Sequence, residues 1–164
     1  MNRPLKYVGT AVCFQEVPDE ITVAIEITDC PHRCEGCHSQ YMWVYEGSNL
    51  MQNFPDILSG LCIGKGVSCI CFMGGEWRPR ELINYCRLSH KLGIKTCLYT
   101  GADDLKEIDN NLLSYLDYIK FGSWRENRGP LGDKDTNQRM LKLRDEQNRP
   151  AVIDITSKFQ KEYL

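Results

Sequence analysis

Three cysteines stand close together in the run Asp29-Cys30-Pro31-His32-Arg33-Cys34-Glu35-Gly36-Cys37-His38. The CxxxCxxC spacing of Cys30, Cys34 and Cys37 lets one loop aim three thiolates at a single point. Three thiolates suit three irons of a cubane iron-sulfur cluster and leave the fourth iron without a protein ligand, open for chemistry. A cluster closed by protein takes four cysteines, and structural zinc takes four ligands that usually come as two separated pairs. This loop matches neither plan well. On spacing alone two other readings stay open: zinc completed by His32 or His38, and thiols packed as small apolar side chains.

A second group of candidate residues closes strand-like segments. Gly74-Gly75-Glu76 follows the apolar run Ser68–Met73, Thr100-Gly101 ends the run from Ile94, and Gly122 ends the run from Tyr118. Paired glycines let backbone approach a ligand closely, and a Glu76 carboxylate or a neighbouring carbonyl can accept hydrogen bonds from a ligand ammonium. Taken alone, Gly-Gly-Glu also reads as a strand-to-helix turn. Thr100 can touch a ligand, whereas Lys120 reads equally as a strand residue with a solvated head. No serine, histidine or carboxylate pair presents a conventional acid-base or nucleophilic apparatus.

The elements that must position these residues alternate. Ile21, Val23, Ile25 and Ile27 interleave with Thr22, Ala24, Glu26 and Thr28, the period-two pattern of a strand buried on one face, and this strand runs into the cysteine loop. Ser68–Met73 reads as a strand buried on both faces, and Ile94–Gly101, Tyr118–Gly122 and Ala151–Thr156 as further strands. Arg80 to Leu92 reads as a helix with Pro79 near its start and Gly93 as its stop, and Asp103 to Leu116 as a second. Arg125 to Asn137 reads as a loop, either solvated or touching a partner. Strands alternating with helices predict an α/β fold with a mainly parallel sheet and right-handed crossovers. With about five strands the sheet is too short to close, so the expectation is an open partial (β/α) barrel whose strand C-termini carry the site.

The 164 residues are expected to form a single domain, 1–164. A formal net charge of −2 offers no field for nucleic acid or an anionic membrane. No apolar stretch has the length of a membrane span, and the start Met-Asn-Arg-Pro-Leu-Lys lacks the apolar core of a signal peptide, so the chain is expected in the cytoplasm. Nine cysteines, an odd number without an export signal, argue against a disulfide framework. Cys13, Cys62, Cys69, Cys71, Cys86 and Cys97 are scattered through apolar or helical segments and read as core packing.

CxxxCxxC after one strand and Gly-Gly-Glu at the end of the next is the pair that marks radical S-adenosylmethionine enzymes, and over most of its length the chain resembles that superfamily. It is closest to the activating enzymes of glycyl radical proteins, in the branch that acts on anaerobic ribonucleoside-triphosphate reductase. Cys37-His-Ser-Gln-Tyr-Met-Trp43, with a tryptophan six residues past the last cysteine, is similar to a segment of those activases. So are the strand-end Thr100-Gly101 and Thr136-Asn137-Gln138, the latter resembling their near-terminal Ser-Asn-Gln. Many radical enzymes carry an aromatic residue just before the third cysteine; Gly36 stands there, as in the reductase-activase branch.

The resemblance implies one 4Fe-4S cluster on Cys30, Cys34 and Cys37, with S-adenosylmethionine chelating the open iron through its amino and carboxylate groups. It assigns cofactor contacts to Gly36, Cys37, His38, Gly74, Gly75, Glu76 and Thr100, His38 near the adenine and Gly36 able to bring its backbone there. His38 also reads as a zinc ligand or an exposed imidazole. No catalytic side chain is implied, because the cofactor supplies the reactive group. An electron from a flavodoxin or ferredoxin would cleave S-adenosylmethionine to methionine and a 5′-deoxyadenosyl radical, which would take a hydrogen atom from a glycine of the reductase's catalytic subunit. The alternatives are an activase of another glycyl radical enzyme, a small-molecule radical enzyme and, from a different class, a zinc-binding interaction module.

Overall fold

The structure, a computed structural model, describes residues 3–160. Eight strands form one sheet: β1 (Lys6–Cys13), β2 (Thr22–Ile27), β3 (Ser48–Asn49), β4 (Cys69–Met73), β5 (Lys95–Tyr99), β6 (Tyr118–Phe121), β7 (Arg139–Arg144) and β8 (Pro150–Asp154). Their spatial order is β3-β1-β2-β4-β5-β6-β7-β8, and the sheet does not close. Pairings β2–β4, β4–β5 and β5–β6 are parallel, whereas β1–β2, β1–β3, β6–β7 and β7–β8 are antiparallel. The fold is therefore α/β, but the sheet is mixed rather than mainly parallel. Only the central strands are linked by helical crossovers. The chain returns between β7 and β8 in a tight turn, where Asp145 accepts the amides of Gln147 and Arg149, each at 2.9 Å, and such short connections allow only antiparallel pairing.

Helix α1 (Leu50–Ile57) starts where the Asn49 side chain accepts the amides of Met51 and Gln52, and it buries Leu50, Phe54 and Ile57. Helix α2 (Pro79–Lys91) has proline in its first turn and buries Leu82, Ile83 and Cys86; Gly93, at φ 71°, ends it. Helix α3 is only Asn110–Ser114. The expected helix from Asp103 to Leu116 is broken because two caps compete within it. Asp104 and Glu107 form a capping box around one 3-10 turn, Ile108 is extended, and Asp109 then caps α3 through the Leu112 amide.

One sheet face, with Ile25, Ile70, Phe72, Leu98 and Ile119, packs against these helices. The other buries Cys69, Cys71, Cys97, Tyr118 and Met140 under Val17, Leu131 and Ile155. β2 is consequently covered on both faces, with Thr22 and Ala24 as buried as Val23, which corrects the expectation of a half-exposed strand. Cys62, Cys69, Cys71, Cys86 and Cys97 are buried, while Cys13 is only half-buried. Burial pushes the Cys86 thiol up to about 12, so it stays protonated and inert, as an apolar core side chain should. Among the described residues no helix is long and apolar enough to cross a membrane.

At the end of the sheet away from the cysteine loop, Asp117 accepts the Thr96 amide at 2.8 Å and the His90 Nε2–H at 2.9 Å, with Arg144 Nε 3.6 Å away. Burial would raise the Asp117 carboxyl, but these donors outweigh it and hold the group below its ordinary 3.8. A carboxylate depressed on folding contributes stability that is complete above its unfolded value and lost as pH falls through the folded one. Urea unfolding should therefore show stability declining below about pH 4, and Asp117→Asn should flatten part of that decline while lowering stability at pH 7.

Candidate functional site

The cysteine loop leaves β2 and is folded back on itself by backbone bonds. Cys30 N–H donates to Met42 O at 3.1 Å and Cys37 N–H to Cys34 O at 3.1 Å, and the 3-10 turn Gln40–Trp43 buries Met42 as an anchor. Asp29 (φ 73°) and Arg33 (φ 45°) take left-handed conformations that side chains rarely adopt, so the turn is held against local preference. Ser39 N–H donates to Cys37 Sγ at 3.3 Å. Burial pushes the Cys30 thiol up, while the His32 and Arg33 amides that donate to it pull it down. Amides aimed at sulfur favour the thiolate and stabilise a reduced iron-sulfur centre.

Cys30, Cys34 and Cys37 face a cavity of about 280 Å³, and the strand ends of β4, β5 and β6 supply Gly74, Glu76, Thr100 and Lys120 to the same cavity. His38 also lines it. Gly36 and Gly75 are not among its lining residues. Gly36 is exposed beside the Trp124 indole, and Gly75, at φ 101°, turns toward the core, where an added Cβ would come within 2.9 Å of Ile27 Cδ1 and 3.3 Å of Leu82 Cδ2. Gly75→Ala should cost about 2 kcal/mol from backbone strain and crowding, measured as a fall in the urea midpoint.

Glu76 is the most constrained polar residue of the site. Its side chain is 8% exposed, and its Oε1 accepts from His32 Nε2–H at 2.5 Å and from Thr100 Oγ1–H at 2.6 Å. Thr100 Oγ1 in turn accepts the Ala102 amide at 3.0 Å. The hydrogen bond to Glu76 raises the His32 imidazole above its ordinary value against the opposing effect of burial. Gly101 makes room for this ring, since a Cβ there would stand 3.0 Å from His32 Cγ. The second oxygen, Glu76 Oε2, is buried without a hydrogen-bond partner. A bare buried carboxylate oxygen is costly and matches a cationic donor arriving with a ligand.

Lys120 supplies the complementary charge. Its Nζ lies 5.2 Å from the Tyr99 ring centre, and it has no carboxylate partner among the described residues. Burial lowers this ammonium from its ordinary value. An acceptor for an ammonium and a donor for a carboxylate thus line one cavity with three thiols, which fits a zwitterionic amino acid placed next to a cluster. Among the described residues no three His, Cys, Asp or Glu side chains are arranged to hold one metal ion. Thiolates of a cubane each meet a different iron and need not converge so tightly.

Sequence reasoning considered His32 only as a zinc ligand and missed its contact with Glu76, which joins residues 44 positions apart. It also missed Trp124, whose one signal is its place two residues past the Gly122 strand end. Thr136 and Gln138 are buried, and Gln138 lines the cavity, with its amide nitrogen 3.5 Å from Gly122 O. Compared with models of known families and with curated proteins, the chain matches none.

Proposed function

We propose that this chain is a radical S-adenosylmethionine activating enzyme that generates a glycyl radical on the catalytic subunit of anaerobic ribonucleoside-triphosphate reductase. The observation that carries the reading is Glu76, which lines the cavity that the three loop thiols face and keeps one carboxylate oxygen, Oε2, buried and unpartnered. In this reading Cys30, Cys34 and Cys37 hold three irons of one 4Fe-4S cluster. Glu76 accepts a hydrogen bond from the methionine amino group, Lys120 faces the methionine carboxylate, and Thr100 and His32 hold Glu76 in place. When bound, cluster and S-adenosylmethionine supply the reductive cleavage of a carbon–sulfur bond and the hydrogen-atom abstraction from glycine, with the electron coming from a flavodoxin- or ferredoxin-type protein.

Met42, Trp43 and Trp77 line the cavity and keep bulk water from its polar groups. The unclosed sheet acts as a partial barrel whose open side admits the partner's glycine loop, and that loop completes the enclosure. The chain works as a single domain, in the cytoplasm, without nucleic acid or membrane.

Anaerobic reconstitution with iron and sulfide tests this directly. About four irons and four sulfides per chain are expected, with methionine and 5′-deoxyadenosine formed on reduction and a glycyl radical detected by electron paramagnetic resonance when the reductase subunit is added. Zinc without acid-labile sulfide would overturn the reading in favour of a zinc-binding interaction module. Deoxyadenosine without a protein radical would keep the chemistry and reject the partner.

A further inference from the structure

One edge of the sheet is uncovered beside the cavity. β1 is flanked on its outer side only at Lys6 and Tyr7, which pair with Asn49 and Ser48 of β3. From Gly9 to Cys13 it pairs with β2 alone, and among the described residues no backbone–backbone hydrogen bond leaves Val8–Cys13 in any other direction. An uncovered strand edge presents a row of N–H and C=O groups that another extended chain can take up, and proteins usually blunt such edges with charge or proline. Val8-Gly-Thr-Ala-Val-Cys13 holds neither, and Val8 and Val12 are exposed on it. β8, at the opposite edge of the sheet, begins at Pro150 and ends at Asp154.

Register ties this edge to the site. Gly9 stands opposite Glu26, Glu26 opposite Met73, Met73 opposite Tyr99 and Tyr99 opposite Lys120, a row across five strands on one face of the sheet. Met73, Tyr99 and Lys120 line the cavity. A strand added against β1 extends that row, and its residue opposite Gly9 faces the same side. Glu26 marks what this residue should be. Its Oε1 accepts from the Tyr41 hydroxyl at 2.6 Å, and its carboxylate lies over Gly9, where an added Cβ would stand 2.5 Å from Oε2. Among the described residues no cation pairs with Glu26. A second copy of this chain paired edge to edge would leave Glu26 as it is, because Val8–Cys13 holds no basic residue. A foreign strand with lysine or arginine opposite Gly9 satisfies the carboxylate and the backbone row together.

We propose that the outer edge of β1, Val8–Cys13, docks the partner subunit: the extended segment flanking the partner's glycine adds to the sheet as a further strand and sets a lysine or arginine against Glu26. This rests on the function proposed above and deepens it, naming where the partner is held while its glycine enters the cavity. Backbone pairing holds the segment without reading its sequence, and the Glu26 contact fixes its register.

Amide hydrogen exchange followed by mass spectrometry reads the edge directly. Anaerobically reconstituted protein is labelled alone and with the catalytic subunit of the reductase, and sedimentation follows formation of the complex. Amides within Val8–Cys13 should exchange about tenfold more slowly in the complex, and those within Ala151–Asp154 at the other edge should not change. Glu26→Lys, which reverses the charge over Gly9, should weaken the complex about tenfold. A complex that forms with unchanged exchange over Val8–Cys13 overturns the docking edge and leaves the proposed function standing. Slow exchange there in the protein alone that quickens on dilution assigns the edge to a second copy and overturns the proposal as well. Native affinity in Glu26→Lys overturns the basic residue opposite Gly9. The exchange of wild-type protein decides the edge even if the variant folds poorly. Failure of the subunit to bind at all overturns this proposal together with the partner named above, and 5′-deoxyadenosine formed on reducing the same sample with S-adenosylmethionine shows whether the cleavage chemistry survives.

Discussion

Alanine at Cys30, Cys34 or Cys37 should abolish reductive cleavage of S-adenosylmethionine, lowering it to the background of the reductant alone, and leave the reconstituted protein short of iron and sulfide. The loop offers three thiols to the cavity, and two thiolates cannot hold a cubane securely. Iron and sulfide content with the visible absorbance of the cluster checks the first loss, and 5′-deoxyadenosine yield checks the second. The matched control is Cys97→Ala. Cys97 is fully buried on the sheet face beneath the site, and burial raises its thiol well above the ordinary value, so it should cost about 1 kcal/mol of stability and leave cluster content intact. Full activity in any triad variant would contradict the assignment.

Glu76→Gln should weaken the binding of S-adenosylmethionine about a hundredfold while leaving iron and sulfide content unchanged. Glutamine keeps the shape but removes the charge that, under the proposed function, accepts from the ligand's amino group. A charged hydrogen bond in a partly buried setting contributes about 1.5–3 kcal/mol, and 2.7 kcal/mol corresponds to a factor of about one hundred. The new amide also has to face His32 and Thr100, both of which donate to Oε1 in the native protein. Glu76→Asp keeps the charge but withdraws it by a methylene, and about a tenfold loss is expected. Equilibrium dialysis against S-adenosylhomocysteine, beside a metal analysis, separates this binding defect from cluster loss. Native affinity in Glu76→Gln would remove the central support for the proposed function.

The parts of the fold that were legible in the sequence are those where a single local signal dominates. A continuous apolar run gave β4, the alternation at 21–28 gave β2, and proline and glycine bracketed α2. What was missed is governed by tertiary contacts. β1 is largely exposed along its length, with Gly9 inside it, and is held by pairing with β2 and β3 rather than by its own pattern. α1 contains Pro55, which argues against a helix until its buried Leu50, Phe54 and Ile57 are seen together. The break at Ile108 depends on two caps whose acceptors are clear only once both are occupied.

The same division holds for the site. Strand-end topology was enough to anticipate that the cysteine loop, Glu76 and Thr100 share a cavity. Spacing carries no information about which oxygen of Glu76 is engaged, because that is set by His32 reaching across from another loop. Nor does it show that Trp124 stands next to Gly36, since the two belong to separate elements that meet only after the sheet forms.

His32 sits inside the triad yet spends its hydrogen bond on the end of β4. Ordering the thiol-bearing turn and orienting the Glu76 carboxylate are consequently one event. A molecule whose turn has frayed loses the imidazole that orients the carboxylate. Whatever loosens the one therefore disarms the other, a coupling that a single imidazole carries across the mouth of the cavity.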